Sequence, residues 1–159
     1  MKVAKPVWNG TDWVIGSWVR SEENESPDWT SREIASNEIV IEPELNGEKD
    51  PVKAQKFANE IWFKEIKPVL AEKNILNALY FSGSKSLHDH IVFDRKLLLE
   101  EKIAWVQENF PVLWEKIDHA LFDKNHMIQG ENKAHPKTGN IKTLIEGELA
   151  KNVFSLKNP

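Results

Sequence analysis

Three short segments of this 159-residue chain carry side chains suited to a charged ligand: Ile41-Glu42-Pro43-Glu44, Ser82-Gly83-Ser84-Lys85-Ser86-Leu87-His88-Asp89-His90 and His135-Pro136-Lys137-Thr138-Gly139. In an extended strand alternate side chains share a face, so Glu42 and Glu44 point the same way with Pro43 turned opposite. Two carboxylates held that close raise each other's pKa unless they are solvated, protonated or metal-bound, so the pair suits a hard divalent cation. The middle segment offers Ser82, Ser84, Ser86, Lys85 and His88 around a glycine that lets backbone approach a ligand, a donor set for phosphate oxygens. His88 and His90 also share a strand face, the spacing of a two-histidine metal site. The third segment has a phosphate-binding composition without the Gly-x4-Gly-Lys spacing of a P-loop. Each segment also has an ordinary alternative: a solvated strand end, a plain hairpin loop, and histidines that serve only as hydrogen-bonding residues.

These segments need elements to hold them. Glu38-Ile39-Val40-Ile41 has the composition of a buried strand and leads directly into Glu42, with a turn at Asn46-Gly47. From Pro51 to Lys73 the spacing is helical, with Phe57, Ile61 and Trp62 on one side, a proline in the first turn, an interruption or kink at Pro68 and a stop at Asn74. Ala78 to Phe81 and Ile91-Val92-Phe93 read as strands on either side of the serine-rich loop. A helix from about Arg95 to Asn109 follows, with Leu98, Leu99, Ile103 and Val106 as its apolar face and Pro111 as its end. Val112 to Phe122 reads as a short helix or turn carrying Asp118, with Asp123 just beyond it. Asn140 to Ile145 reads as a last strand.

Near the N-terminus Val7-Trp8, Trp13-Val14-Ile15 and Trp18-Val19, separated by Asn9-Gly10 and Gly16-Ser17, predict a short hairpin. Its tryptophans suit either a small core or the stacking of bases. Ser21 to Ser31 is polar and acidic and reads as a loop. Strand, helix and strand with further helices give an α/β or α+β architecture.

At 18.3 kDa the chain is the size of one domain, taking roughly 100–200 residues as usual. Its 40% hydrophobic and 29% charged content and mean hydropathy of −0.51 describe a soluble globular protein. No apolar run approaches a membrane span, and Met1 to Pro6 has no apolar signal core, so a cytoplasmic protein without a membrane partner is expected. The absence of cysteine excludes disulfides, thiolate catalysis and cysteine-held zinc or iron–sulfur centres in this chain. A formal charge of −4 argues against coating nucleic acid through a broadly basic surface, while Lys133, Lys137 and Lys142 offer a local cluster for phosphate contact.

The ordered series of an acid-x-acid strand end, a Ser-Gly-x-x-x-x-His loop between strands, the Ile117-Asp118 pair and a later His-x-Lys-Thr-Gly resembles the archaeo-eukaryotic primase superfamily, the primase–polymerases. The likeness runs from about Glu38 to Ile145. It implies one primase-like domain over residues 1–159, a small α/β unit joined to an RNA-recognition-like sheet with flanking helices. It further implies that Glu42, Glu44 and Asp118 are the catalytic carboxylates and hold two divalent ions, Mg2+ or Mn2+. Ser82, Lys85 and His88, with His135 and Lys137, would then bind the incoming nucleotide. The implied activity is template-dependent nucleotidyl transfer in DNA replication. Its partners would be nucleoside triphosphates, a nucleic acid template and a helicase or larger primase subunit. The alternative is a primase-like nucleotide- or nucleic-acid-binding accessory protein without catalysis.

The chain departs from the family in three respects. Glu42 and Glu44 replace the usual aspartates, lengthening each ligand by a methylene, which manganese tolerates better than strictly octahedral magnesium. His126 and Gln129 stand where basic residues often precede the late loop. The zinc module is absent.

Overall fold

In a computed structural model of the protein, which describes residues 2–8, 13–20, 31–123, 126–131, 133–135, 138–147 and 153–154, the first elements are the antiparallel strands β1 (Lys2–Trp8) and β2 (Trp13–Arg20). This is the expected hairpin. Gly16 and Ser17 lie within β2 rather than breaking it. The side chains of the hairpin, and residues 21–30 of the expected loop, lie outside what is described.

Next comes β3 (Ser31–Glu33), followed by β4 (Glu38–Ile41), whose four residues are all buried. Helix α1 (Pro51–Ile61) begins at Asp50, whose side chain accepts from the Val52 amide at 3.0 Å, with Pro51 in the first turn where its missing N–H costs nothing. A π-helical turn over Trp62–Ile66 separates α1 from α2 (Lys67–Glu72). Pro68 has no amide to donate to the preceding turn, and the wider turn just before it absorbs that loss, so the helix is interrupted where the sequence places the proline. Ala58, Trp62, Ile66 and Leu70 nevertheless all remain buried. Asn74 ends the run in the left-handed region at φ 54°.

Strands β5 (Ala78–Phe81) and β6 (Leu87–Phe93) flank the serine-rich turn, β5 as expected and β6 starting four residues earlier than Ile91, so that His88 and His90 lie within it. Helix α3 (Leu99–Asn109) starts about four residues later than its sequence pattern suggests, because Glu101 folds back to accept from the Leu98 amide at 3.0 Å and fixes the helix start there. Leu98 and Leu99, expected on the apolar face, are consequently exposed, whereas Val106 and the chain of Lys102 are buried. Two 3-10 turns, Trp114–Lys116 and His119–Phe122, occupy the stretch after Pro111. Then follow β7 (Met127–Gln129), β8 (Thr143–Gly147) and β9 (Val153–Phe154); the expected last strand begins three residues late.

The main sheet has the order β4-β6-β5-β8, with β9 pairing parallel to the end of β6, while β3 and β7 pair antiparallel as a separate ribbon. The class is therefore α+β. Register sorts the side chains of the sheet. Ile39 opposite Ile91, and Leu79 opposite Asp89, share one face with Phe93, and this face enters the core with Trp62, Ile66, Leu70, Val106 and Phe110. Glu38, Val40, Tyr80, His88 and His90 fall on the other face. No helix among the described residues is long and apolar enough to cross a membrane.

Candidate functional site

Beyond β4 the chain stays extended through Pro43, which pairs antiparallel with Ile117. The Asp118 amide donates to the Glu42 carbonyl at 2.9 Å and the Glu44 amide to the Lys116 carbonyl at 2.9 Å. Those bonds set Asp118 beside Glu42 although 76 residues separate them in sequence, and strand alternation keeps Glu42 and Glu44 on one side. Partial burial, then the charges of Asp118 and Glu42, push the Glu44 carboxyl up, with Lys85 and His119 acting in the opposite direction. Glu44 therefore senses both of the other acids.

The serine-rich turn is built around Ser82. Its hydroxyl oxygen accepts from the amides of Ser84 at 3.2 Å and Ser86 at 3.1 Å, and its own amide donates to the Ser86 carbonyl at 3.0 Å. Ser86 then donates its hydroxyl to the Pro43 carbonyl at 2.9 Å, tying this turn to the acidic strand end. Ser82 thus shapes the turn, and only its hydroxyl proton is left for a ligand.

Gly83 joins the turn to the late loop. It sits at φ +89°, and a Cβ there would stand 2.8 Å from the Asn140 carbonyl oxygen and 3.3 Å from the His135 Cβ. The Thr138 hydroxyl donates to the Gly83 carbonyl at 2.6 Å and accepts from the Asn140 amide at 3.1 Å. The loop closes on itself through His135 N–H to the Asn140 carbonyl at 2.7 Å and Gly139 N–H to the His135 carbonyl at 2.8 Å. Two segments with phosphate-binding composition are thereby one folded unit.

His88, at the start of β6, is buried, and its Nε2 lies 3.2 Å from Glu42 Oε2. Burial first, and the positive charge of Lys142 next, push its pKa down, while Glu42 opposes them. The ring is a neutral imidazole whose Nε2–H donates to Glu42; its Nδ1 is buried without a partner among the described residues.

Glu42, Ser82, Lys85, His88, Asp118 and His135 line one cleft of about 380 Å3. Ser84, Ser86, His126 and Gln129 complete its polar wall, and Leu121, Met127 and Ile128 form an apolar one. Of the remaining residues singled out from the sequence, Glu44 reaches the cluster through its charge without lining the cleft, and Lys137 lies outside the described residues.

The carboxylates have the oxygen chemistry that a hard divalent cation takes, and their crowding is relieved by one. Two of them already have protein partners, since Glu42 meets His88 and Asp118 Oδ1 accepts from the Ala120 amide at 3.0 Å. Among the described residues no group of three or more His, Asp or Glu forms a ready-made metal cage.

Two expectations are overturned. The His88–His90 metal pair is unavailable, because His90 Nδ1 lies 2.8 Å from Glu38 Oε2 and its Nε2 lies 2.9 Å from Lys142 Nζ, so both ring nitrogens are engaged. Lys142, grouped with Lys133 and Lys137 for phosphate contact, is completely buried, whereas Lys133 is exposed. Periodicity offers no means of recognising a buried lysine, since lysine is ordinarily a surface residue.

Behind the cleft lies a polar core that sequence reasoning missed. Arg32 forms a two-pronged bond to Glu38 at 2.8 and 2.9 Å and a second to Glu131 at 2.6 and 2.8 Å. These partners raise the Arg32 pKa against the larger opposing effect of burial. Despite burial, Arg32 and His90 hold Glu38 well below the usual carboxylate range. Glu131 is likewise held down to about 2 against burial, by Lys142, His90 and Arg32. Burial and then the Lys142 charge push His90 to about 4, so it is neutral, with Nδ1–H donating to Glu38 and Nε2 accepting from Lys142. The one signal in the sequence is the alternation of Glu38, Val40 and Glu42, which puts a second acid on the face of the candidate ligand.

No protein-family model and no curated protein matches the chain.

Proposed function

We propose that this protein is a metal-dependent nucleotidyl transferase of the primase–polymerase type, extending a primer 3′-hydroxyl with nucleoside triphosphates on a nucleic acid template. The observation that carries this reading is the shared cleft. Six residues chosen from motif order alone, drawn from four separate segments between Glu42 and His135, line one cavity. The architecture that goes with it is a single primase-like domain, in which the sheet centred on β6 corresponds to the RNA-recognition-like half.

Lys85 brings a cationic group and His135 a polar one to the cleft, a pair suited to a triphosphate. Glu42 and Asp118 add negative charge to the same cleft, and Glu44 lies within electrostatic reach of both and of Lys85. Glu42, Glu44 and Asp118 would hold two ions of Mg2+ or Mn2+, which would supply charge for activating the 3′-hydroxyl and for stabilising the departing pyrophosphate. His88 steadies Glu42 through Nε2, and the hydroxyl of Ser86 holds the strand end that presents both glutamates. Leu121, Met127 and Ile128 offer an apolar surface alongside these groups, fit for the uncharged part of a nucleotide.

A nucleotide-binding accessory protein without catalysis is the second reading. It is favoured by one observation, the lack of a preformed three-ligand cage among the described residues. Template-dependent incorporation of labelled nucleotides with magnesium or manganese separates the two, with triphosphate binding measured in parallel. Incorporation supports the enzyme; binding without incorporation under any metal supports the accessory protein.

A further inference from the structure

Lys142 occupies the base of the late hairpin. Its amide donates to the Lys133 carbonyl at 3.1 Å, closing the hairpin whose far end carries His135 and Thr138. Its ammonium group runs inward and donates to three acceptors: His90 Nε2 on β6 at 2.9 Å, the Gln129 carbonyl on β7 at 2.9 Å and, more weakly, Glu131 Oε1 just beyond β7 at 3.4 Å. The Tyr80 ring lies 5.4 Å from the same nitrogen.

The surrounding charges balance. Arg32 and Lys142 are cationic, Glu38 and Glu131 anionic, and His90 is neutral with both nitrogens satisfied. A buried, charge-neutral and largely hydrogen-bonded lattice has directional bonds that apolar packing lacks, so it fixes position as well as holding elements together. The hairpin of 133–142 runs into β8 at Thr143, which pairs with Phe81, and the Lys142 ammonium ties its base to β6 and β7 as well. Ile141 is exposed, and the contact of its tip with the sheet side runs through Gly83 and Thr138.

We propose that Lys142 is a positioning residue: it clamps the base of the late hairpin to the sheet, and through Thr138 and Gly83 thereby fixes the Ser82–Ser86 turn against His135. The clamp itself is independent of the reaction assigned above; only the claim that the hairpin and turn hold a triphosphate rests on that reading. Lys142 acts from behind the cleft, whose lining it does not join.

Removing Lys142 alone strands a buried carboxylate and risks unfolding the chain. The decisive protein is therefore the full chain with Lys142→Met and Glu131→Gln together, which keeps the lattice neutral while deleting the clamp. Amide hydrogen exchange and nucleotide kinetics are compared with wild type. The expected result is exchange at least about tenfold faster at His135, Gly139, Ser84 and Ser86, with Ile91 and Phe93 keeping wild-type rates, because local opening is freed without global unfolding. The KM for nucleoside triphosphate rises by a similar factor, with a smaller change in kcat.

Unchanged exchange at the four loop amides overturns the clamp. Equal acceleration at Ile91 and Phe93 also overturns it, since Lys142 would then serve the fold as a whole. If the wild-type chain neither binds nor incorporates nucleotide, the primase-type reading fails, and the exchange pattern still decides the clamp.

Discussion

Asp89 stands between the two histidines of β6 but on the opposite face, where burial pushes its carboxyl up to about 8 against a hydrogen bond from Asn77 at 2.6 Å. One of its oxygens, Oδ2, has no partner among the described residues. Because the folded-state pKa lies above the unfolded value near 4, the native state binds this proton more tightly. Its contribution to stability is complete below about pH 4 and is lost as pH rises toward 8. Asp89→Asn removes that slope and is expected to be more stable than wild type at pH 8 by about 1–3 kcal/mol. Urea unfolding at pH 5 and pH 8 measures it, and equal pH slopes in the two proteins would refute the assignment. Gly83 makes a second, steric prediction. Gly83→Ala meets both the left-handed backbone and the Asn140 carbonyl at 2.8 Å, so it costs about 1–3 kcal/mol by urea unfolding and loosens the late hairpin. A variant as stable as wild type would show that this close approach is not maintained.

The helical run from Pro51 to Glu72 was legible because its signals are local: a proline in the first turn, apolar spacing and Pro68 as the interruption, whereas the Asp50 cap went unread. That the interruption takes the form of a π turn was not legible, because it depends on keeping both Trp62 and Ile66 in the core. Trp62→Ala should therefore destabilise the protein by about 3–5 kcal/mol in denaturant unfolding, and a loss below about 1 kcal/mol would contradict the packing of this turn. For α3 the apolar pattern misled. Leu98 and Leu99 fit a helix face by spacing, yet the side chain of Glu101 sets the helix start at Leu98 and leaves both leucines exposed. The pairing of Pro43 with Ile117 could not be read from spacing either, because it joins segments whose approach is settled by tertiary backbone bonds. Motif order nonetheless named Glu42, Glu44 and Asp118, since order along the chain survives where distance in space is unknown.

On one face of the sheet the described charges around the candidate site fall into two layers. Near the surface, Glu42, Glu44 and Asp118 crowd together beside Lys85 and the late loop, a layer with uncompensated charge that suits an ion and an anionic ligand. Deeper in, Arg32, Glu38, Glu131 and Lys142 neutralise one another around His90. Composition identified the first layer, whose residues sit in short, chemically unusual segments. It concealed the second, whose residues are scattered over 110 positions and become a group only after folding. Template-dependent incorporation by wild type and by the Glu42→Gln/Glu44→Gln variant, each with magnesium or manganese, decides whether the outer layer holds catalytic metal. Incorporation by wild type that falls at least about a hundredfold in the variant is the expected result, as removal of metal-holding charge costs several kcal/mol of transition-state stabilisation. Equal incorporation by the two proteins, or none by wild type with either metal, would contradict it.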